Sequence, residues 1–376
     1  MQRAGFLILG LLVAFLFLLK GLDFLLGKIW INPYQFGNTV SAEVPLYPAN
    51  LIVKVQVPSI FESKNQDKTV WVRTNAFRSL DSPNPTDYSA IAIGSMTTSN
   101  ELVEENQRWP ALLPEKAVNF GYRGTGYALA KNTLKFVLEK TPIRPKTIYL
   151  LSALTDVRCF LENNCLLQPE DSFLKRIQSN GENYLFGEAI EKSTLYSFLS
   201  FQWNNFWGYP LDESRILSIP ENETDVPQDL FEVLNQQITT QLMPKRKQWL
   251  RELIHQKPAD IQLILLTQPN AYRTPLRPEK KDLRNRPILR MADKKYVFTI
   301  RQTGQWIEKI NAQTKQLAAL FHQDHVDWLD TDTCVMQKLS EGAVYWKGQF
   351  SPEGNLAMAE CITSEAQKSR QPPKKH

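Results

Sequence analysis

The chain has 376 residues, of which 22% are charged and 43% hydrophobic, with a formal net charge of +5. That length suffices for one large domain or two moderate ones with a substantial core. Apart from a tail carrying Lys368, Arg370, Lys374 and Lys375, the basic residues are scattered, with no basic stripe interleaved with aromatics, which argues against nucleic acid as a partner.

The amino terminus reads as a membrane element. Met1-Gln2-Arg3 precedes an apolar run from Ala4 to Leu19, then Lys20, Asp23 and Phe24-Leu25-Leu26-Gly27. As a helix, residues 4–27 span about 36 Å, enough for a bilayer if Lys20 snorkels. A cleaved signal peptide is the competing reading, but no small-x-small site follows the run. Residues 1–27 are therefore expected to be a cytoplasmic start and an uncleaved transmembrane signal anchor. The bulk of the chain then lies outside the cytoplasm, on the periplasmic or cell-surface side.

The cysteines agree with that compartment. There are four, Cys159, Cys165, Cys334 and Cys361, with no CxxC pair and only four histidines, so zinc-type spacing is absent. No metal or other cofactor is expected. Two disulfides are, with Cys159–Cys165 and Cys334–Cys361 the simplest of three pairings.

Residues 28–85 read as a juxtamembrane linker followed by a small β element, with Leu51–Val57 alternating as LIVKVQV and Thr69–Val72 a second β run. From Tyr88 the pattern becomes strand, then helix. Strands are expected at Ala90–Ile93, Lys116–Phe120, Thr147–Leu151, Ile261–Thr267 and His325–Leu329. Helices are expected around Trp109–Glu115 and at Tyr127–Lys140, Arg246–His255, Thr303–His322 and Pro352–Ser364. Such alternation predicts a three-layer α/β domain over 86–365, a parallel sheet with helices on both faces. An aromatic-rich, partly helical insertion fills 157–245, with Phe198, Phe201, Trp203, Phe206, Trp207 and Tyr209. It reads as a subdomain with its own core, or as a lid or partner-binding face. Residues 366–376 read as a basic tail.

Five blocks in order then carry a resemblance. Arg73-Thr74-Asn75-Ala76-Phe77-Arg78 leads into a strand ending at Gly94, with Thr98 four residues on and Trp109-Pro110 beyond. Asn119, Gly121 and Gly124 form an Asn-x-Gly-x-x-Gly block. Ala153-Leu154-Thr155-Asp156 closes the next strand, and Trp346-Lys347-Gly348-Gln349 precedes Ser351-Pro352-Glu353-Gly354. The set resembles the SGNH/GDSL hydrolase superfamily, particularly membrane-anchored members associated with acylation of envelope polysaccharides. The resemblance implies a flavodoxin-like parallel sheet and an ester-processing site at its carboxyl edge.

The reaction of that family needs a serine, a histidine to accept its proton, a carboxylate to orient the imidazole, and an oxyanion hole. The matching positions here are different. Met96 stands at the nucleophile, Ser95 where an aspartate is usual, Gln349 at the base, Trp346 at the carboxylate and Thr155 at the oxyanion asparagine. Gly121, with its backbone N–H expected to face the hole, and Asp156 are unchanged.

Three readings follow. In the first, a catalytically degenerate domain keeps a pocket formed by Ser95, Met96, Thr98, Gly121, Gly124, Thr155, Asp156 and Gln349, and binds an envelope glycan or acylated sugar. In the second, Ser95 acts as nucleophile in an active esterase or O-acyltransferase. In the third, the chain is a structural subunit of a membrane complex, with a membrane acyltransferase as its partner.

Overall fold

The computed structural model describes residues 68–80, 87–162, 223–273 and 294–370 other than 123, 153 and 347, together with 46–47, 52–57, 288–291, 199 and parts of 14–25. The first ordered unit is an antiparallel hairpin of β1 (Ile52–Val57) and β2 (Lys68–Arg73), in the register Ile52↔Arg73 to Val57↔Lys68. It matches the small β element expected there.

The central sheet comes next. Its strands are β3 (Ala90–Gly94), β4 (Ala117–Gly121), β5 (Thr147–Leu151), β7 (Gln262–Leu266) and β10 (Val326–Leu329). They are all parallel, side by side in the order β4-β3-β5-β7-β10. Counted along the chain this is 2-1-3-4-5, the flavodoxin-like arrangement. Between the strands run α1 (Met96–Ser99), α2 (Trp109–Leu112), α3 (Tyr127–Lys140), α4 (Leu154–Leu161), α5 (Gln228–Gln237), α6 (Met243–Gln256) and α7 (Ile300–Leu320). After the last strand come α8 (Thr331–Lys338), α9 (Glu341–Val344), a two-residue hairpin of β11 (Tyr345–Trp346) and β12 (Gln349–Phe350), and α10 (Pro352–Arg370).

Side-chain alternation divides the core into two layers. Ala90, Ala92, Tyr149, Leu151, Ile264 and Leu266 face Trp109 of α2, Val335 of α8 and Met358 and Ile362 of α10. Ile91, Ile93, Val118, Phe120, Ile148, Leu150, Leu263 and Leu265 face Leu134 and Val137 of α3, Leu250 and Leu253 of α6 and Leu317 of α7. Strands covered on both faces explain the uninterrupted apolar runs AIAI and LILL. Each large aliphatic side chain withdrawn from water here contributes about 1.5–3 kcal/mol.

Several boundaries move. The long helix α7 begins three residues before the expected Thr303, because Thr299 and Gln302 close a capping box there. The last helix continues past Ser364 to Arg370, so the tail begins as helix. Helices α5 and α6 are joined through a π-helical turn, Ile238–Leu242, giving unbroken helix over the end of the expected insertion. Phe231 of α5 stacks on Trp306 of α7 at 5.7 Å, with Phe298 4.1 Å from Trp306, which roots this stretch in the main domain. Most of the insertion, including its six aromatic residues from Phe198 to Tyr209, lies outside the described residues. A small sheet of β6 (Glu223–Asp225), β8 (Ile288–Met291) and β9 (Lys294–Val297), ordered β6-β9-β8, was not foreseen. Its short, charge-bearing sequences ILRM and KKYV offer little alternation to read.

Cys334 and Cys361 form a disulfide between α8 and α10. Cys159 is also disulfide-bonded, and its expected partner Cys165 lies outside the described residues. Among the described residues no helix is long and apolar enough to cross a membrane. The expected anchor, 4–27, is largely outside them. Its described positions are helical, with Phe15, Phe17, Leu18, Phe24 and Leu25 exposed.

Candidate functional site

A parallel sheet of this order opens a crevice outside its carboxyl ends where the strand order reverses, here between β3 and β5. The chain leaves β3 at Gly94-Ser95-Met96 and leaves β5 at Leu151-Ser152, entering α4 through Leu154-Thr155. Ser95 is the N-cap of α1, its backbone carbonyl accepting the Thr98 N–H at 2.9 Å and the Ser99 N–H at 3.0 Å. Its side chain makes no capping bond. Ser95, Met96, Gly124 and Thr155 are partly exposed, whereas Thr98, Gly121, Asp156 and Gln349 are buried. The residues expected to line a pocket thus divide into four that are partly exposed and four that are buried.

The two strand-ending glycines are explained by close packing of α1. A Cβ on Gly94 would sit 2.2 Å from Thr98 Oγ1 and 2.6 Å from the Leu151 carbonyl. One on Gly121 would sit 2.4 Å from the Ser99 backbone nitrogen and 2.7 Å from the Thr98 carbonyl carbon. Neither gap admits a methyl group. Asn119 fastens the same junction, donating from Nδ2 to the Thr98 carbonyl at 2.9 Å and accepting the Gly121 N–H on Oδ1 at 2.9 Å. The Gly121 N–H, expected to face an oxyanion hole, is engaged by Asn119 instead.

Asp156 also has another task. It is fully buried, Oδ1 accepting the Tyr127 N–H and Oδ2 the Arg246 Nε–H, each at 2.9 Å. The Arg246 guanidinium continues to the Ile310 carbonyl at 3.1 Å and Thr314 Oγ1 at 2.9 Å, and lies 4.5 Å from the Tyr127 ring centroid. Burial pushes the Tyr127 phenol up to about 12. Asp156 has no exposed surface, and each of its oxygens already accepts a hydrogen bond from within the domain.

The last block is built into the wall. Gln349, at the base position, is buried and accepts the Leu102 N–H on Oε1 at 3.2 Å. Its neighbour Phe350 donates its N–H to Asn100 Oδ1 at 2.9 Å. Trp346, at the carboxylate position, packs with Val103 and with Val57 and Val70 of the hairpin. Trp346, at the position that the resemblance gives to the carboxylate, is thus packed against the chain's own β1–β2 hairpin.

Arg108, which sequence reasoning passed over, holds this wall together. It is fully buried, donating from Nε to the Asn100 carbonyl at 2.9 Å and from NH2 to the Val103 carbonyl at 3.1 Å and the Trp71 carbonyl at 3.5 Å. Burial lowers its pKa to about 10. Its only sequence signal was a charge directly before the buried pair Trp109-Pro110. Asn355 adds a further tie, accepting the Trp109 N–H at 2.9 Å.

The described histidines are elsewhere. His255 ends α6 before β7, and His322 and His325 precede β10. They lie toward the amino ends of the strands, about 15 Å or more from Ser95 by strand rise alone. His322 and Asp327 pair there at 3.2 Å beside a groove of about 490 Å³ that Thr147, Tyr149, Gln262 and Trp328 help to line. No group of three metal-ligating side chains occurs among the described residues.

Solved structures similar to this chain include a lipolytic protein, a lipase and an esterase. One is a member of the lipolytic G-D-S-L family from Veillonella parvula, 10% identical with a TM-score of 0.37, covering 75% of this chain and 98% of that one. An extracellular lipase from Streptomyces rimosus is 11% identical at a TM-score of 0.39, covering 74% and 99%. An acetyl xylan esterase from Geobacillus stearothermophilus is 13% identical at 0.32, covering 73% and 93%. No family model and no curated protein matches the chain.

Proposed function

We propose that the chain is a membrane-anchored, extracytoplasmic SGNH/GDSL-like domain that has given up the hydrolase reaction and binds, or assists modification of, an envelope glycan or acylated sugar. One observation carries most of the reading. The base and carboxylate positions are Gln349 and Trp346, both consumed by packing, while a thioether, Met96, stands at the nucleophile position. A thioether has no proton to lose, and an amide is not a base at neutral pH. Retained around them are Ser95 and Thr155, two partly exposed hydroxyls suited to hydrogen-bonding a sugar. The exposed apolar side chains between Phe15 and Leu25, and the disulfide at Cys334–Cys361, support the anchor and the extracytoplasmic setting.

The alternative is an enzyme centred on Ser95, favoured by the absence of a capping bond from its side chain. Turnover of p-nitrophenyl acetate and release of acetate from an acetylated polysaccharide separate the two readings, with Ser95→Ala run in parallel. The degenerate reading expects equal background rates and saturable glycan binding. Turnover lost in Ser95→Ala would establish the enzyme.

A further inference from the structure

We infer that the crevice end of the domain faces the bilayer, so that its ligand is a group presented on a membrane lipid. The inference rests on the anchored reading and extends it to orientation and ligand class. Its basis is where the chain, coming from the anchor, first meets the domain. Leu46 is buried at 1% exposure in the apolar layer that holds Phe120 and Tyr127. Next to it, the Tyr47 ring meets the Tyr122 ring edge-on at 4.9 Å, and the Tyr47 hydroxyl donates to Glu101. Tyr122 directly follows β4, its N–H on the Gly94 carbonyl at 2.9 Å, and Glu101 lies two residues past the end of α1. The entry point is therefore at the carboxyl end of the sheet.

The next contact is at the same end. The β1–β2 hairpin packs through Val57 and Val70 on Val103 and Trp346, and the Trp71 carbonyl accepts from Arg108. Only 18 residues, 28–45, separate the expected anchor from Leu46. Eighteen residues reach no further than about 60 Å even when fully extended. The amino ends of the strands lie at least about 15 Å further along the domain, by the rise of five residues. A tether this short, fixed on the crevice rim, turns Ser95, Met96 and Thr155 toward the headgroups. A ligand carried on a lipid would then reach the rim without leaving the membrane, whereas a soluble one would gain nothing from the placement.

The test uses full-length protein in liposomes. With the described native cysteines in disulfides, one introduced thiol can carry a donor dye. Asn106→Cys lies on the exposed turn beside the hairpin, and Gln323→Cys on the exposed turn before β10. Flotation first reports attachment, and energy transfer to a headgroup-labelled acceptor lipid then reports height. At least twofold greater transfer efficiency from Asn106→Cys supports the orientation. Flotation with equal transfer, or greater transfer from Gln323→Cys, overturns it and leaves the anchor standing. Failure to float removes the anchor, and the orientation with it.

Discussion

Asp156 and Arg246 form an ion pair at 2.9 Å from which water is wholly excluded, both side chains having no exposed surface. The pair ties the start of α3 and the first turn of α4 to α6 and α7, so this junction is anchored in the helical layer. Removing one partner strands a buried charge, which costs about 3–5 kcal/mol. Arg246→Met and Asp156→Leu should each show a loss of that size in urea denaturation. The double variant should lose clearly less than the sum, since neither charge is then left alone.

The glycines at the ends of β3 and β4 should behave as packing residues. Gly121→Ala places a methyl group 2.4 Å from backbone that cannot yield without moving α1. A destabilisation on the order of 1–3 kcal/mol is expected, in the range of overpacked cores. Gly94→Ala should fall in the same range, although the Thr98 hydroxyl can swing away. Thermal denaturation of the two variants, with circular dichroism to confirm the fold, is the measurement.

The Cys334–Cys361 bridge closes a separation of 27 residues. In the chain-entropy account, a loop of that size is worth about 3.5 kcal/mol. Replacing both cysteines by serine should lower the urea midpoint accordingly, with the native fold retained. An unchanged midpoint would mean that the C-terminal block, including Gln349, is held by packing alone.

Asp332 supplies a pH dependence. Burial raises its carboxyl above the usual range, opposed by the Asn270 N–H, Arg273 and Asn311. A carboxyl with a raised pKa in the folded state binds its proton more tightly there than in the unfolded chain, where the value is about 3.9. Its contribution is therefore complete below about pH 4 and declines as pH rises toward the folded-state value. Asp332→Asn should flatten that part of the stability profile. Melting temperatures measured between pH 4 and 7 for both proteins decide the matter.

Much of the fold was legible because burial on both faces makes strands read as apolar runs. Ala90–Ile93 and Ile261–Thr267 announce themselves this way, and α3 and α7 by their period. The short strands β8, β9, β11 and β12 have two to four residues each, too few for a period to show. Arg246 was readable in part, since its spacing to Leu250 and Leu253 puts it on the apolar face of α6. The roles of Gly121, Asp156 and Gln349 were not readable. Residue identity in a block says what chemistry is available, and only the contacts say whether that residue has been turned to packing.

A domain that has given up the hydrolase reaction, as proposed, holds no activated nucleophile at the crevice. The most direct measurement is the intact mass of the folded protein after incubation with a fluorophosphonate, which forms a covalent adduct with an activated serine. The account predicts no mass increase beyond that seen after heat denaturation. A stoichiometric adduct that maps to Ser95 and disappears in Ser95→Ala would contradict it.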